Sequence, residues 1–480
     1  MNKLLVSCGL LAIVLAISSA ALSGERQITF DTDRNHALDN NLNFSPDGKW
    51  LAYDTRPWQG GLGNCLTLEK VNVDTGEIVV IHEVEDPVLG VGPGTAAVSY
   101  FPAEDKVIAI HGFQPPLQYQ GTRRFGAIFS PTDGTADIVV ADARDVIAPF
   151  TPGALRGGSH RHEPSGDGQW IGFTYNDLIM ASAPNLTDLR TIGVTKLGTP
   201  VDVPEGPENQ DGIGFTVLVV KVKPQAEVTP DTEEIYQGSD DAWVGENGYQ
   251  KEDGTWQRAR AFIGKTMRTP AGGGAPVTRN EVFVVDIPED ITVPGPDGPL
   301  EGTETTFPMP PAGTVQRMLT FSDSDCGSIV RSSKDGSRIA FSRSGQIQLV
   351  SPLGGDVVQA TSLPAGTYKP WWHPSGDYLI SLSAGSIWAT DVKLGSPRFG
   401  TSWMITEPTP DAPPDAIVFS NDGSTIAFNR ELNVGRPDNN KVKQIFVTAF
   451  FVPEPSALVL AGLGLLSVLG CIRRPRRTDA

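Results

Sequence analysis

His160 and His162 are the most pointed chemical feature of this 480-residue chain, because only six histidines occur in it and these two stand two residues apart. On an extended strand, residues i and i+2 share a face, and two imidazoles side by side suit a divalent metal. His36 and His373 are further ligands for the same metal if the fold carries them to one place. Arg156 precedes the pair, and Arg123 and Arg124 stand together upstream; a guanidinium fork matches the carboxylate of an acidic sugar. Together these residues describe a metal-assisted lyase or hydrolase. The metal would neutralise a carboxylate and acidify the neighbouring proton, which a base then removes. A plainer reading stands beside it. Histidines in a Gly-rich stretch such as Gly157-Gly158-Ser159-His160 are more often hydrogen-bonded than metal-ligating, and adjacent arginines usually face solvent.

Other motifs carry less. Asp323-Ser324-Asp325-Cys326-Gly327 begins like a calcium loop but lacks the acid that closes one. Trp371 and Trp372 suit either a sugar ring or a core, and their place at the start of a strand favours the core. Gly90-Val91-Gly92-Pro93-Gly94 is followed by neither a helix nor Lys-Ser/Thr, so it is not a phosphate loop. No Gly-x-Ser-x-Gly elbow and no Cys-His nucleophile arrangement occurs.

The elements that must position these residues repeat along the chain. Phe44-Ser45-Pro46-Asp47-Gly48-Lys49-Trp50-Leu51-Ala52-Tyr53 recurs at 331–341, 372–380 and 419–428, with weaker copies at 100–109 and 163–173. Each copy is an apolar strand, a turn of Pro, Asp and Gly, and a second strand opening on a β-branched or aromatic residue. Clean copies recur at roughly 40–47 residues, the length of one four-stranded propeller blade. One blade cannot bury both faces, so the copies must stack in a ring. The expected class is all-β: a propeller of TolB- or WD40-like blades, seven in number within a range of six to eight. The seventh is placed in residues 210–290, on the apolar runs 215–220 and 281–286. Residues 222–260 and 288–313 read as loops protruding from one face.

The Phe-Ser-Pro-Asp-Gly pattern resembles the TolB-type propeller repeat. More widely, Arg26-Gln27-Ile28-Thr29-Phe30, Asn35-His36, the segment 148–160, Phe173-Thr174-Tyr175-Asn176-Asp177 and Gly302-Thr303-Glu304-Thr305-Thr306 are similar to the YidR-type family of TolB-like propellers. That resemblance implies the fold and no particular activity. Oligogalacturonate lyases are also propellers, and the His-x-His pair resembles theirs, which holds a divalent metal with further His and Gln ligands. Here Gly157 stands three residues before His160 where that likeness implies Gln, so the ligand set is incomplete.

Both ends of the chain read as addresses. Pro453-Glu454-Pro455, an apolar run over 456–472, and Arg473, Arg474, Arg476 and Arg477 resemble the PEP-CTERM sorting signal of Gram-negative bacteria. The resemblance implies an exosortase partner, transient residence in the inner membrane, and delivery to the cell surface or extracellular matrix. The run is near the lower limit of roughly 17–25 residues for a transmembrane helix, and the arginines hold its end in the cytoplasm; an uncleaved anchor is the alternative. At the other end, Lys3, the apolar stretch 4–17 and Ser18-Ser19-Ala20-Ala21 read as a Sec signal peptide spanning 1–23. The expected organisation is therefore signal peptide 1–23, propeller 24–450 and sorting signal 452–477. Of the four cysteines, only Cys65 and Cys326 belong to the exported part, and two so far apart give no disulfide framework. They read as buried free thiols.

The formal net charge is −18. Removing both ends takes away Lys3 and four arginines but only one acid, Asp479, so the exported part is more acidic still. This excludes nucleic acid and anionic membrane surfaces as partners. The favoured function is an exported, non-catalytic binding module for exopolysaccharide or envelope proteins, with no cofactor. The alternative is the metal-dependent lyase or hydrolase of acidic polysaccharide, and a third reading is a periplasmic assembly role like that of TolB.

Overall fold

In the computed structural model, which describes residues 24–453 except 40, 60, 131–137, 183–187 and 365, the repeat is one hydrogen-bonded turn used many times. Ser45 Oγ donates to Asp47 at 2.6 Å and accepts the Trp50 N–H at 3.0 Å, while Asp47 accepts the Lys49 N–H at 3.1 Å. Gly48 follows at φ 71°, in the left-handed region that glycine enters without a Cβ clash. Ser165, Ser333 and Ser420 build the same turn with Asp167, Asp335 and Asp422. Each turn joins the inner strand of a blade to its second strand.

The described residues form seven antiparallel blades around one axis. Blade two comprises Thr95–Tyr100, Val107–Gly112, Arg124–Phe129 and Val139–Val140; blade three comprises Gly157–Pro164, Trp170–Asp177, Thr191–Val201 and Gly212–Leu218. Blade four holds Gln237–Trp243, Ala259–Arg268, Val277–Asp286 and Val315–Met318. Blade five opens on Cys326–Ser332, blade six on Tyr368–Trp372 and blade seven on Asp415–Phe419. Blade one has three regular strands, and an irregular segment bridging Ala37 to Asp54 and Phe44 to Leu51 takes its inner place. Blade seven is completed by the N-terminal strand Arg26–Gln27 pairing with Val447 and Phe446, which closes the ring.

Blade four departs from the expectation. Residues 215–220 finish blade three, and 281–286 belong to the third strand of blade four. The region 222–260, read as a loop, contains that blade's inner strand and the start of its second. A small hairpin, Tyr249–Gln250 with Trp256–Gln257, is inserted where the Ser-x-Asp-Gly turn stands elsewhere, so the repeat is erased there. Residues 288–313 do form a loop, but it packs inward rather than protruding: Ile291, Leu300 and Phe307 are buried in one cluster with Phe173 and Tyr175.

Six inner strands share a second device. Ala97, Arg161, Asp240, Ser328, Lys369 and Ala416 have φ between 49° and 66°, and the strand pairing shifts register at each. Such a bulge bends the strand and re-aims its side chains. A left-handed non-glycine residue costs roughly 1–2 kcal/mol, so six of them at one level require the ring around them to hold the geometry.

The expected signal peptide 1–23, the span 456–472, and Glu454, Pro455, Arg473 and Arg474 of the sorting motif lie outside the described residues. Pro453 is the last residue described. Among the described residues no helix is long and apolar enough to cross a membrane.

Candidate functional site

The repeat turns converge around the axis on one face and leave a cavity of about 380 Å³, lined by all seven blades. Pro46, Pro102, Glu163, Trp243, Arg331, Trp371, Phe419 and Asn421 form its wall. Trp371 is half-buried with the Arg331 guanidinium 4.4 Å above its ring, while Trp372 is buried and donates from Nε1 to the Arg331 carbonyl at 2.9 Å. One tryptophan thus serves the cavity and the other the core.

Behind this wall lies a buried ionic cluster. Arg260, wholly inaccessible, donates from Nη1 to Glu163 Oε2 at 2.6 Å and from Nε to Asp241 Oδ2 at 3.0 Å. Gly172 leaves room for it, since a Cβ there would sit 2.4 Å from the guanidinium. Burial, with Arg161 adding to it, pulls the Arg331 pKa down to about 9. None of Glu163, Asp241, Arg260 and Arg331 was a sequence candidate. A signal existed: Glu163, Arg331 and Trp371 each stand two residues before the turn-forming Ser165, Ser333 or His373 of their repeats.

The structure does not assemble the four candidate histidines. His160 and His162 share the inner strand of blade three, but the left-handed Arg161 between them breaks the alternation, and each has its own partner. His160 Nδ1 meets Thr174 Oγ1. His162 Nε2 lies 3.0 Å from Ser159 Oγ, which donates to Asp142 Oδ2 at 2.6 Å; Asp142 also accepts the Gly126 N–H at 2.7 Å. The serine stands between acid and imidazole, so the histidine has no acid partner to orient it as a base. All three are buried, and the chain of bonds ties blade two to blade three. His36 is buried in blade one, against Tyr53 and the Lys443 carbonyl. His373 replaces the turn serine of blade six, bonding Ser375 at 2.8 Å and packing on Phe419 and Phe450. Among the described residues no three His, Cys, Asp or Glu side chains converge as metal ligands. The expected ligand set therefore does not fit a metal.

Two of the three arginine candidates are ties within the fold. Arg156 is buried, donates to Asp177 at 2.8 Å, and holds the carbonyls of Thr303 and Thr306, fastening the loop over 288–313 to blade three. Arg123 and Arg144 share Glu208 at 3.0 Å. Arg124 has no such partner. Cys65 and Cys326 are buried and unpaired, and burial raises both thiols, Cys326 to about 12.

A histidine contact that the sequence did not disclose joins blades one and two: His82 Nε2 and His111 Nε2 are 3.3 Å apart, against Phe125 and Phe129. Burial lowers both to about 4. Between that value and the ordinary 6.5 the unfolded chain binds protons that the folded chain does not, so stability falls as pH drops through this window. Asp142, raised to about 7 by burial, contributes in the opposite direction over the same range. The expected result is a lower urea midpoint at pH 5 than at pH 7, and a smaller difference in His111→Gln; an unchanged difference would remove this pair as the cause.

The comparisons with known proteins agree with this geometry. The family described as protein of unknown function (DUF3748) matches residues 94–210, and the PEP-CTERM protein-sorting motif matches 451–474. Among solved structures, a manganese complex of an oligogalacturonate lyase is similar at a TM-score of 0.50 and 12% identity, covering 91% of this chain and 96% of that one. Prolyl oligopeptidase B from Galerina marginata is similar at a TM-score of 0.47 and 10% identity, covering 92% and 51%. At 12% identity the likeness to the lyase is one of fold alone. The uncharacterised protein YidR of Escherichia coli (strain K12) is 35% identical over 423 residues, 84% of this chain and 94% of that protein. Over so much of both sequences the relation is one of descent, and the chain belongs to the YidR family, as a member that carries a PEP-CTERM sorting motif.

Proposed function

We propose that this protein is an exported propeller that captures a surface glycan or an envelope protein in the axial cavity of its turn face, without covalent chemistry of its own. The observation that carries the reading is the lining of that cavity, where aromatic faces from Trp243, Trp371 and Phe419 stand among polar and charged groups that include Glu163, Glu246, Arg331, Lys334 and Asn421. Polar groups in a concave site fix the orientation of a ligand, and an aromatic face stacks on the apolar face of a sugar. The sorting motif supports the setting, since it implies exosortase processing and sorting toward the cell surface. Phe450 packs among His373, Tyr378, Trp403 and Phe419, and Trp403 donates to the Phe451 carbonyl at 2.9 Å, so the motif leaves directly from the turn side of blades six and seven. A shared fold with a lyase does not carry a reaction.

The test is affinity electrophoresis of the purified protein in gels containing the exopolysaccharide of the producing cell. Retardation is expected, weakened about tenfold, or ~1.4 kcal/mol, in Trp371→Ala. Shortening of the polysaccharide with appearance of unsaturated ends would overturn the non-catalytic reading. No retardation, or retardation indifferent to Trp371, would overturn the cavity as the site.

A further inference from the structure

At the end of the axis away from the turns, three arginines gather without a carboxylate partner among the described residues. Arg124 opens the third strand of blade two, Arg161 is the bulge residue on the inner strand of blade three, and Arg190 immediately precedes the third strand of blade three. First and third strands of an antiparallel blade run the same way, so Arg124 and Arg190, at strand starts, lie on the face opposite the Ser-x-Asp-Gly turns, and Arg161 stands mid-strand between that face and the turns. The contacts they make are sparse. Arg124 lies 5.6 Å from the Tyr119 ring, Arg161 donates to the Asp241 carbonyl at 3.0 Å, and Arg190 reaches Thr174 Oγ1 at 3.4 Å. That hydroxyl also meets His160, which places the buried imidazole among the guanidinium groups. Arg124 Nε, Arg161 Nη2 and Arg190 Nε are each buried with no hydrogen-bond partner. Asp240 is the largest acidic influence on Arg190, with Asp241 beside it; Asp240 accepts from Ser239, and Asp188 from Asn176 and the Asp177 N–H.

The fully buried arginines of this fold carry their own carboxylates, Arg156 with Asp177, Arg260 with Asp241 and Arg430 with Glu25; Arg124, Arg161 and Arg190 are half-buried and, like half-buried Arg338 and Arg398, have none among the described residues, but here three stand together. The chain has 56 acidic residues to 38 basic ones, so an acid was readily available for this cluster too. Like charges brought together away from water repel more strongly than in solvent, and a buried donor left unpaired is destabilising. The fold sustains both penalties at one place. An oxyanion would relieve them together, because it accepts several charge-assisted bonds from guanidinium forks.

We infer that Arg124, Arg161 and Arg190, gathered around His160, form a binding site for an oxyanion carried by a ligand, such as the carboxylate of an acidic sugar or a phosphate ester on a surface glycan. It is a second site, on the far side of the inner-strand bulges from the turn-face cavity, and it is tested with its own ligands and variants, although Arg161 also acts electrostatically on Arg331 of that cavity.

The experiment is isothermal titration of the full-length protein in detergent with sodium glucuronate, inorganic phosphate and, as the neutral control, glucose. Saturable binding of at least one oxyanion and none of glucose is expected, weakening as salt is raised. Preference for glucuronate assigns a uronate, and preference for phosphate assigns a phosphate ester. Arg161→Gln and Arg190→Gln should each weaken binding at least tenfold, whereas Arg123→Gln, whose guanidinium is already paired with Glu208, and Trp371→Ala should leave it unchanged. Without ligand, the two cluster variants should unfold at the same or a higher urea concentration than the parent, since each removes a repelling charge. No saturable binding of either anion, equal loss in Arg123→Gln, or a lowered urea midpoint in both cluster variants would overturn the assignment.

Discussion

Replacing Arg260 with alanine is expected to remove about 3–5 kcal/mol of folding stability, the usual consequence of taking one partner from a buried ion pair. Arg260 is wholly inaccessible and meets two carboxylates, Glu163 and Asp241, from two different blades. Its guanidinium also lies 4.8 Å from the Trp243 ring, at the wall of the axial cavity. Alanine would leave Asp241 buried with no counter-charge and open a void against Gly172. Lysine should recover only part of the loss, because a single ammonium cannot satisfy two carboxylates as a planar fork does. Urea unfolding of both variants at pH 7 measures the loss and its partial recovery. A loss below about 1 kcal/mol, in the range of exposed pairs, would show that the cluster is not the tie it is described as here.

The parts of this fold that rest on local chemistry were legible in the sequence. Ser45 and Asp47 are two residues apart and make their bonds within six residues, so every copy of the turn announces a blade. Blade four was misread because its inserted hairpin replaces that local signal. His373 was misread for a related reason: it occupies the serine position of a turn, and aligning it with Ser45 assigns it to the turn rather than to a metal. The pairings that define the site are different in kind. Arg260 reaches Glu163 across 97 residues, and Arg156 reaches Thr306 across 150. His82 finds His111 only because adjacent blades stack. The alternation rule that put His160 and His162 on one face failed at Arg161, where a left-handed residue re-aims the strand, and the same bulge recurs in five other blades with no one residue type common to them.

That ring of bulges bears on how the two ends of the axis come to differ. At the turn end, the residue two before the turn faces inward in a register fixed by local bonds, and the chain uses it for Glu163, Arg331 and Trp371. At the other end the bulge residue itself varies, from Ala97 and Ala416 through Ser328 to Asp240, Lys369 and Arg161. Lys369 is neutralised by Asp415 of the next blade, whereas among the described residues Arg161 bonds a carbonyl and no carboxylate. The repeat thus supplies such positions in most blades at each level, and the side chains chosen there, not the fold, separate an aromatic cavity from a cationic cluster.

Deletion of residues 24–30 should unseal the ring and leave the protein aggregated at 37 °C. Blade seven depends on this segment for its outer strand: Arg26 and Gln27 pair with Val447 and Phe446, and the Ile28 N–H bonds the Ile445 carbonyl at 2.9 Å. Thr29 Oγ1 accepts the Ile445 N–H at 2.8 Å and donates to Gln444 at 2.7 Å. Each such bond contributes about 0.5–1.5 kcal/mol, and burying Ile28, which is 1% exposed, adds about 1.5–3 kcal/mol. A further contribution is Glu25, whose carboxylate holds Arg430 at 2.7 and 2.9 Å; without it, among the described residues, a buried guanidinium keeps the Ala412 carbonyl and the Phe428 and Phe446 rings but no carboxylate. Losses of this size together are comparable with the whole stability of a domain, about 5–15 kcal/mol, and the bared strand Val442–Ala449 becomes an edge that other chains can pair with. Two milder changes divide the effect. Ile28→Ala should lower the urea midpoint while leaving the protein monomeric, and Glu25→Gln should lower it by a similar or larger amount through Arg430. If the deletion instead elutes as a monomer with an unchanged midpoint, the closure of this propeller lies elsewhere.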